Sequence, residues 1–228
     1  MKEEMYMDNL KETCLFHEIT NEEISKMLTC AKSVEKKYAA GTYIFRQEEK
    51  PFHLFLLLKG SVCIAKDFPS GKRDILYMIE EGNVFGEIFL FGDREKYWYD
   101  AVANEDSVVL MIPWDFFYHF CENACHHHQL LTRNMLDILS QKDFMITKKL
   151  HIISTASLRE RIAIWLVDAM DQNGRVVLQM NRETLADFLG VARPSLSREL
   201  GRMQDDGLIQ VEKKEIRVID RDAMEELY

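Results

Sequence analysis

No stretch of this chain approaches the ~18–20 consecutive apolar residues that a helix needs to cross a bilayer. Nor does it open on an apolar leader: Met1–Asn9 is charged and polar, without the hydrophobic centre of a signal peptide. A disulfide framework is missing as well, since the five cysteines (Cys14, Cys30, Cys63, Cys121, Cys125) are scattered and odd in number. These absences predict a reduced, cytoplasmic protein with no membrane partner. A basic surplus is also lacking. Lys and Arg number 29 against 38 Asp and Glu, a net charge of −9, which disfavours indiscriminate polyanion binding. Histidine is scarce where strands are expected: only His53 falls on one. Jelly-roll metalloenzymes usually offer His-x-His with a carboxylate and a further His from adjacent strands, so that class is disfavoured and the chain is not expected to be an enzyme.

What is present suffices for packed cores. The chain has 228 residues, 47% of them hydrophobic, the size of one large or two modest domains. The most informative stretch is Asn181–Ile219. Asn181 can cap a helix, and Glu183 sits favourably in its first turn. Leu185, Phe188 and Leu189 give that helix one apolar face. Gly190 permits a sharp reversal, and Pro194 in the first turn of the next helix has no helical N–H bond to lose. Leu196, Leu200 and Met203 form an inward stripe, leaving Arg193, Ser195, Ser197, Arg198 and Arg202 mostly outside it. Gly207 ends the helix. Leu208–Val211 and Ile216–Ile219 then read as a hairpin wing around Lys213-Lys214-Glu215. This is a winged helix-turn-helix, whose second helix enters a major groove with its N-terminal residues on base edges. Arg193 and Arg198 are expected on bases, Arg202 on phosphate or its own domain, and Lys213 on phosphate. From Thr155 onward there are 11 basic and 14 acidic residues, but Asn181–Arg202 carries four arginines against three acids. Binding should therefore be specific and salt-sensitive.

The N-terminal half reads differently. Thr20-Asn21-Glu22-Glu23 is a capping box opening a helix to about Cys30. Short strands are predicted at Val34–Tyr38, Tyr43–Phe45, Phe52–Leu58, Ser61–Ala65, Arg73–Ile79, Tyr97–Val102 and Val108–Ile112. Six of the ten glycines lie between residues 41 and 92, where hairpins need them. The pattern predicts an antiparallel sandwich or jelly roll. A helix starts at Trp114–Tyr118, and a longer one runs from about His126 to Ile153, about 40 Å at 1.5 Å per residue. Leu131, Met135, Ile138, Met145 and Ile152 lie on a heptad-like stripe, which Leu139, Ile146, Leu150 and Ile153 broaden. That breadth predicts a homodimer seam, against the alternative of a helix packed wholly on its own sheet. The expected fold is α+β: a β-roll sensing domain (1–125), a dimerisation helix (126–153) and a winged helix-turn-helix (154–228).

A jelly roll, a long helix and a winged helix-turn-helix, in that order, resemble the Crp/Fnr family of bacterial transcription regulators over about residues 10–220. The words that carry the resemblance are Gly60-Ser61-Val62, Gly82 through Glu87, Arg161-Ile162-Ala163 and the run Leu185–Met203. The resemblance implies a sheet domain that binds a small effector, a dimer helix that relays its state, and recognition helices that read a palindromic double-stranded site. Cyclic-AMP-binding members keep a Gly-Glu pair for the ribose and, about ten residues on, an Arg followed by Ser or Thr for the cyclic phosphate. Gly86-Glu87 is present here, but the later segment is Lys96-Tyr97-Trp98-Tyr99-Asp100-Ala101. With no guanidinium before Ala101 and a carboxylate in its neighbourhood, a cyclic phosphate is repelled. The resemblance thus points to a non-cAMP type. Iron–sulfur members need an N-terminal cysteine cluster, and only Cys14 is there. Pro194 replaces the Glu that members often carry between their base-reading positions, so the half-site should differ.

The expected effector pocket comprises Gly86, Glu87, Trp98 and Tyr99, an aromatic surround with Glu87 as polar anchor; the alternative is that Tyr97, Trp98 and Tyr99 pack against the long helix. No metal centre is expected, because the cysteines and histidines lack a closed ligand set. The one competing arrangement is Cys121, Cys125 and His128, which share a face if they lie on one helix and would then suit a soft metal or haem. That arrangement defines a second reading, a regulator of the same architecture that senses gas or redox state.

Overall fold

The computed structural model describes residues 10–70, 73–91, 95–118, 126–178 and 181–228. They fall into two compact units, Met1–Leu139 and Ser140–Tyr228.

The first unit is a pair of four-stranded antiparallel sheets flanked by helices. Its strands are β1 (Val34–Tyr38), β2 (Tyr43–Phe45), β3 (His53–Lys59), β4 (Val62–Asp67), β5 (Arg73–Ile79), β6 (Val84–Phe85), β7 (Asp100–Ala103) and β8 (Ser107–Pro113). One sheet has the order β1-β8-β3-β6 and the other β2-β7-β4-β5. Strand β3 shows why its sequence is a continuous apolar run rather than an alternating one. Leu54 and Leu56 point to the helical layer, into a core with Leu15, Phe16, Ile24 and Met27. Phe55 and Leu57 point the other way, between the sheets, into a core with Phe45, Ile64, Phe85 and Val109. A strand buried on both faces has no polar face to show.

Helix α1 (Asn21–Cys30) carries the expected capping box: Glu23 N–H donates to Thr20 Oγ1 and Thr20 N–H to Glu23 Oε2. After α2 (Asp115–Tyr118) comes α3 (His126–Ser154), 29 residues long. Its stripe divides. Leu131, Met135 and Ile138 are buried in the core of the first unit, and Ile152 in that of the second. Asn134, also buried, donates to the carbonyls of Leu15 (3.1 Å) and His17 (2.7 Å). Four of the five residues read as the dimer stripe are therefore spent on the chain's own cores, whereas Met145 is exposed.

The second unit adds α4 (Leu158–Ala169), α5 (Arg182–Phe188), α6 (Arg193–Asp205), α7 (Arg221–Glu225) and a sheet of β9 (Arg175–Val177), β10 (Ile209–Val211) and β11 (Glu215–Val218) in the order β10-β11-β9. The wing is thus three-stranded, with β11 one residue earlier than expected. Ile162, Leu166, Leu185, Leu189, Leu196, Leu200, Met203 and Ile216 form one core.

Candidate nucleic-acid interface and effector pocket

The helix-turn-helix is built as its sequence implies. Asn181 Oδ1 accepts the N–H groups of Glu183 and Thr184 at 2.9 Å each, capping α5. Gly190 takes φ +68° in the turn, and Pro194 lies in the first turn of α6. Leu196, Leu200 and Met203 are buried, while Arg193, Ser197, Arg198 and Arg202 are exposed and Ser195 is half-buried. Helix α6 is held from behind. Arg159 on α4 donates to Glu199 (2.7 Å) and pairs with Asp206 (2.7 Å). Arg161 donates to the carbonyls of Thr155 (2.7 Å) and Leu189 (3.2 Å), closing the end of α5 against α4. The arginine of the Arg161-Ile162-Ala163 word is therefore a fastener of the domain.

The outward cations differ in their partners. Arg198 Nη2 donates to Ser195 Oγ at 3.3 Å, and Arg202 pairs with Glu199 at 3.4 Å, so Arg202 is tied to its own helix. Lys213 is exposed in the turn between β10 and β11. A residue absent from the sequence reading joins them: Arg182, the first residue of α5. It lines a cavity of about 310 Å³ with Leu178, Asn181, Glu183, Arg193 and Lys213. The signal was available, since a cation beside the Asn181 cap is plain in the sequence. What could not be read was its distance from the wing.

In the β-roll, Gly86 (φ +79°) precedes a 3-10 turn, Glu87–Phe89. A Cβ on Gly86 would stand 2.9 Å from Phe55 Cδ2, so close packing alone demands glycine. Glu87 is buried, near enough to Tyr77 and Tyr99 for its charge to raise both phenol pKa values beyond the larger effect of their burial. Tyr77 Oη donates to Tyr99 Oη at 3.3 Å. Between the sheets the rings of Phe45, Phe55, Phe85, Phe89, Tyr97 and Tyr99 are all buried; Phe45 and Tyr97 stack at 3.9 Å and Phe89 meets Tyr99 edge-on at 5.0 Å. Tyr97 and Tyr99 thus lie in the roll interior.

Three of the four expected pocket residues, Gly86, Glu87 and Tyr99, belong to this interior. Trp98 does not. It is 57% exposed, with the Lys66 ammonium 4.9 Å from its ring centroid and its carbonyl accepting from Lys66 Nζ. Tyr97 and Tyr99 turn inward, and Trp98, in the bend between them, turns out. The strand expected to start at Tyr97 starts at Asp100 instead, because Tyr97 exchanges backbone bonds with the turn at 48–49 (Glu48 N–H to Tyr97 O and Tyr97 N–H to Glu49 O, 2.9 Å each). Asp100 is buried, and its carboxylate accepts the Gln47 N–H at 2.8 Å. The position before Ala101 is a carboxylate that holds the turn at Gln47, and aromatic rings occupy the interior between the sheets.

Cys121 and Cys125 lie outside the described residues. His128 is buried against Phe116, ring centroids 4.9 Å apart, and burial lowers its pKa. Among the described residues, no group of three His, Cys, Asp or Glu is placed to hold a metal ion, and no helix is long and apolar enough to cross a membrane.

Comparison with known families agrees with both halves. Residues 35–124 match the cyclic nucleotide-binding domain, and residues 160–227 match the Crp-like helix-turn-helix domain. The chain belongs to the Crp/Fnr family of transcription regulators. Among Crp/Fnr relatives, it is 24% identical over 218 residues to the cyclic AMP receptor protein of Thermus thermophilus, covering 96% of this chain and 98% of that protein. It is 23% identical over 201 residues to the global nitrogen regulator of Synechococcus elongatus, covering 85% and 89%. Among solved structures, OCPA-complexed CprK superposes with a TM-score of 0.68 at 14% identity, covering 91% of this chain and 94% of that one. The Xanthomonas campestris regulator CLP, described as c-di-GMP responsive, gives 0.57 at 20% identity, covering 86% and 98%. The protein is thus a DNA-binding transcription regulator of the Crp/Fnr type with a cyclic nucleotide-binding-like domain, in a family of regulators rather than enzymes.

Proposed function

We propose that this regulator acts in the cytoplasm as a homodimer, reading a two-fold symmetric DNA site under control of a small effector in the β-roll. The observation that carries the DNA reading is the division of α6: Leu196, Leu200 and Met203 buried, Arg193, Ser197 and Arg198 outward. That division aims the N-terminal half of the helix at base edges. Arg198 is the residue we assign to guanine, whose O6 and N7 accept both donors of one guanidinium.

The effector class follows from the roll interior. Stacked rings around buried Glu87 suit an aromatic or apolar molecule that intercalates among them and anchors one polar group on the carboxylate. Cyclic AMP and c-di-GMP belong to the names of the relatives; the Tyr99-Asp100 pair here favours neither. The reading calls for no metal or haem.

Binding-site selection from random duplexes at fixed salt tests the DNA reading. The wild type should enrich an inverted repeat. Arg198→Ala should lose roughly 5- to 150-fold of its discrimination at one base pair per half-site, the equivalent of about 1–3 kcal/mol. Equal stringency in both proteins would contradict the placement of α6.

A further inference from the structure

Helix α6 is attached to its domain in two ways. Its inward stripe, Leu196, Leu200 and Met203, packs in the core with Ile162, Leu166 and Leu185. Apolar burial is non-directional, so it holds a helix down more firmly than it fixes the rotation of that helix. The second attachment is directional. Arg159, in the first turn of α4, donates from Nε to Glu199 Oε1 at 2.7 Å and pairs through Nη2 with Asp206 Oδ2 at 2.7 Å. Glu199 and Asp206 lie two turns apart, about 10 Å along the axis of α6. One planar guanidinium with donors in a fixed fork therefore grips α6 at two points, which sets rotation and tilt together. Glu199 has another partner, Arg202 at 3.4 Å, but Arg202 rides on the same helix and cannot fix α6 against α4.

Glu199 is the residue next to Arg198. The Arg198 guanidinium is itself held to α6, since its Nη2 donates to Ser195 Oγ at 3.3 Å, so it travels with the helix. A rotation of about 10° carries a group on the helix surface, about 6 Å from the axis, through about 1 Å. A recognition constellation tolerates about 0.5 Å. We infer that Arg159 is a specificity-determining positioning residue: by gripping Glu199 and Asp206 it sets the rotation of α6, and through it the aim of Arg198 at its base. The inference rests on the proposed DNA reading, in which Arg198 meets guanine. It separates two properties of that reading. Affinity for any duplex comes from phosphate contacts, which long side chains keep through a small rotation; discrimination comes from a bidentate bond, which does not survive one.

The test is binding-site selection at fixed salt, with affinities for the selected and a scrambled duplex, on the full-length wild type, Arg159→Met, Arg159→Lys, Arg198→Ala and the double variant Arg159→Met/Arg198→Ala. Arg159→Met should relax the same base pair that Arg198→Ala relaxes, by up to the roughly 5- to 150-fold of that contact. Its affinity for the scrambled duplex and its salt slope should stay at wild-type values. Arg159→Lys, with one compact ammonium for two carboxylates, should fall between. In the double variant the loss of Arg159 should cost no further discrimination, the non-additivity of residues that act through one contact. Glu199→Gln, which keeps an acceptor for Arg159 and removes the charge, should relax that base pair to a lesser degree. Wild-type stringency in Arg159→Met, or in Glu199→Gln should Arg159→Met fail to fold, would overturn the inference. So would an equal loss on selected and scrambled duplexes, or a loss of discrimination that adds in full to that of Arg198→Ala. A wild type that enriches no sequence would instead sink the DNA reading itself, a separate outcome.

Discussion

At the scale of single residues, the motif word around Gly86 also serves packing. Gly86 is needed because Phe55 leaves no room for a Cβ, and Asp100 is needed because it closes the turn at Gln47. Titration calorimetry with cyclic AMP should therefore give no binding in the micromolar range; micromolar heat that vanishes in Glu87→Ala would show that the roll accepts a cyclic phosphate after all. Histidines supply a second residue-level expectation. Burial lowers the pKa of both His53 and His128, so in the folded chain each resists a proton that the unfolded chain accepts near pH 6.5. Their contribution is intact above that pH and declines as pH falls below it. Urea midpoints measured between pH 7 and 5 should drop, and His128→Asn should flatten the decline; a wild-type midpoint constant over that window would contradict it. Residue roles were the least legible part of the sequence. Trp98 and Tyr99 are expected in the pocket on the same ground, their aromatic character and position, yet only Tyr99 is buried. Composition does not reveal which side of the backbone a ring takes; the bonds of Tyr97 to residues 48–49 do.

At the scale of elements, α3 is the instructive case. A heptad was legible, but two heptads offset by one residue coexist on this helix. The register Leu131, Met135, Ile138, Ile152 serves the chain's own cores. The other, Leu136, Leu139, Asp143, Ile146, Leu150, Ile153, repeats in steps of three and four, and all but Leu139 are exposed. That second register is the seam we assign to the dimer, flanked by exposed Phe144 and Met145. Its one polar member, Asp143, would face its own copy in a parallel pair, where like charges oppose association. Leu150→Glu should shift sedimentation toward monomer, and Asp143→Leu should tighten the dimer several-fold; a dimer indifferent to both would place the interface elsewhere. The helix-turn-helix and most strands were read within a residue or two because capping, Gly and Pro signals and alternation all agree there. The two-residue β6 and the three-residue β9 are not among the expected strands; Val84-Phe85 and Val176-Val177 are apolar pairs too short to alternate, whereas Tyr43–Phe45, as short as β9, is all aromatic or branched. Helix α4 is legible only as three residues of a motif, since Ile162–Val167 is an unbroken apolar run with no period to mark one face.

At the scale of the whole molecule, two units with separate cores are linked by a continuous helix, and their division falls within it, between Leu139 and Ser140. Each unit keeps its own cores of aliphatic and aromatic side chains. In the proposed dimer, α3 would join the copies and each α6 would read a half-site about one helical turn from the other. The most direct test is the stoichiometry of the DNA complex. Sedimentation of the wild-type protein with a duplex carrying its selected site should give two chains per duplex. A duplex with one half-site scrambled should bind far more weakly at the same salt. One chain per duplex, with the single half-site bound as tightly as the full site, would contradict the account.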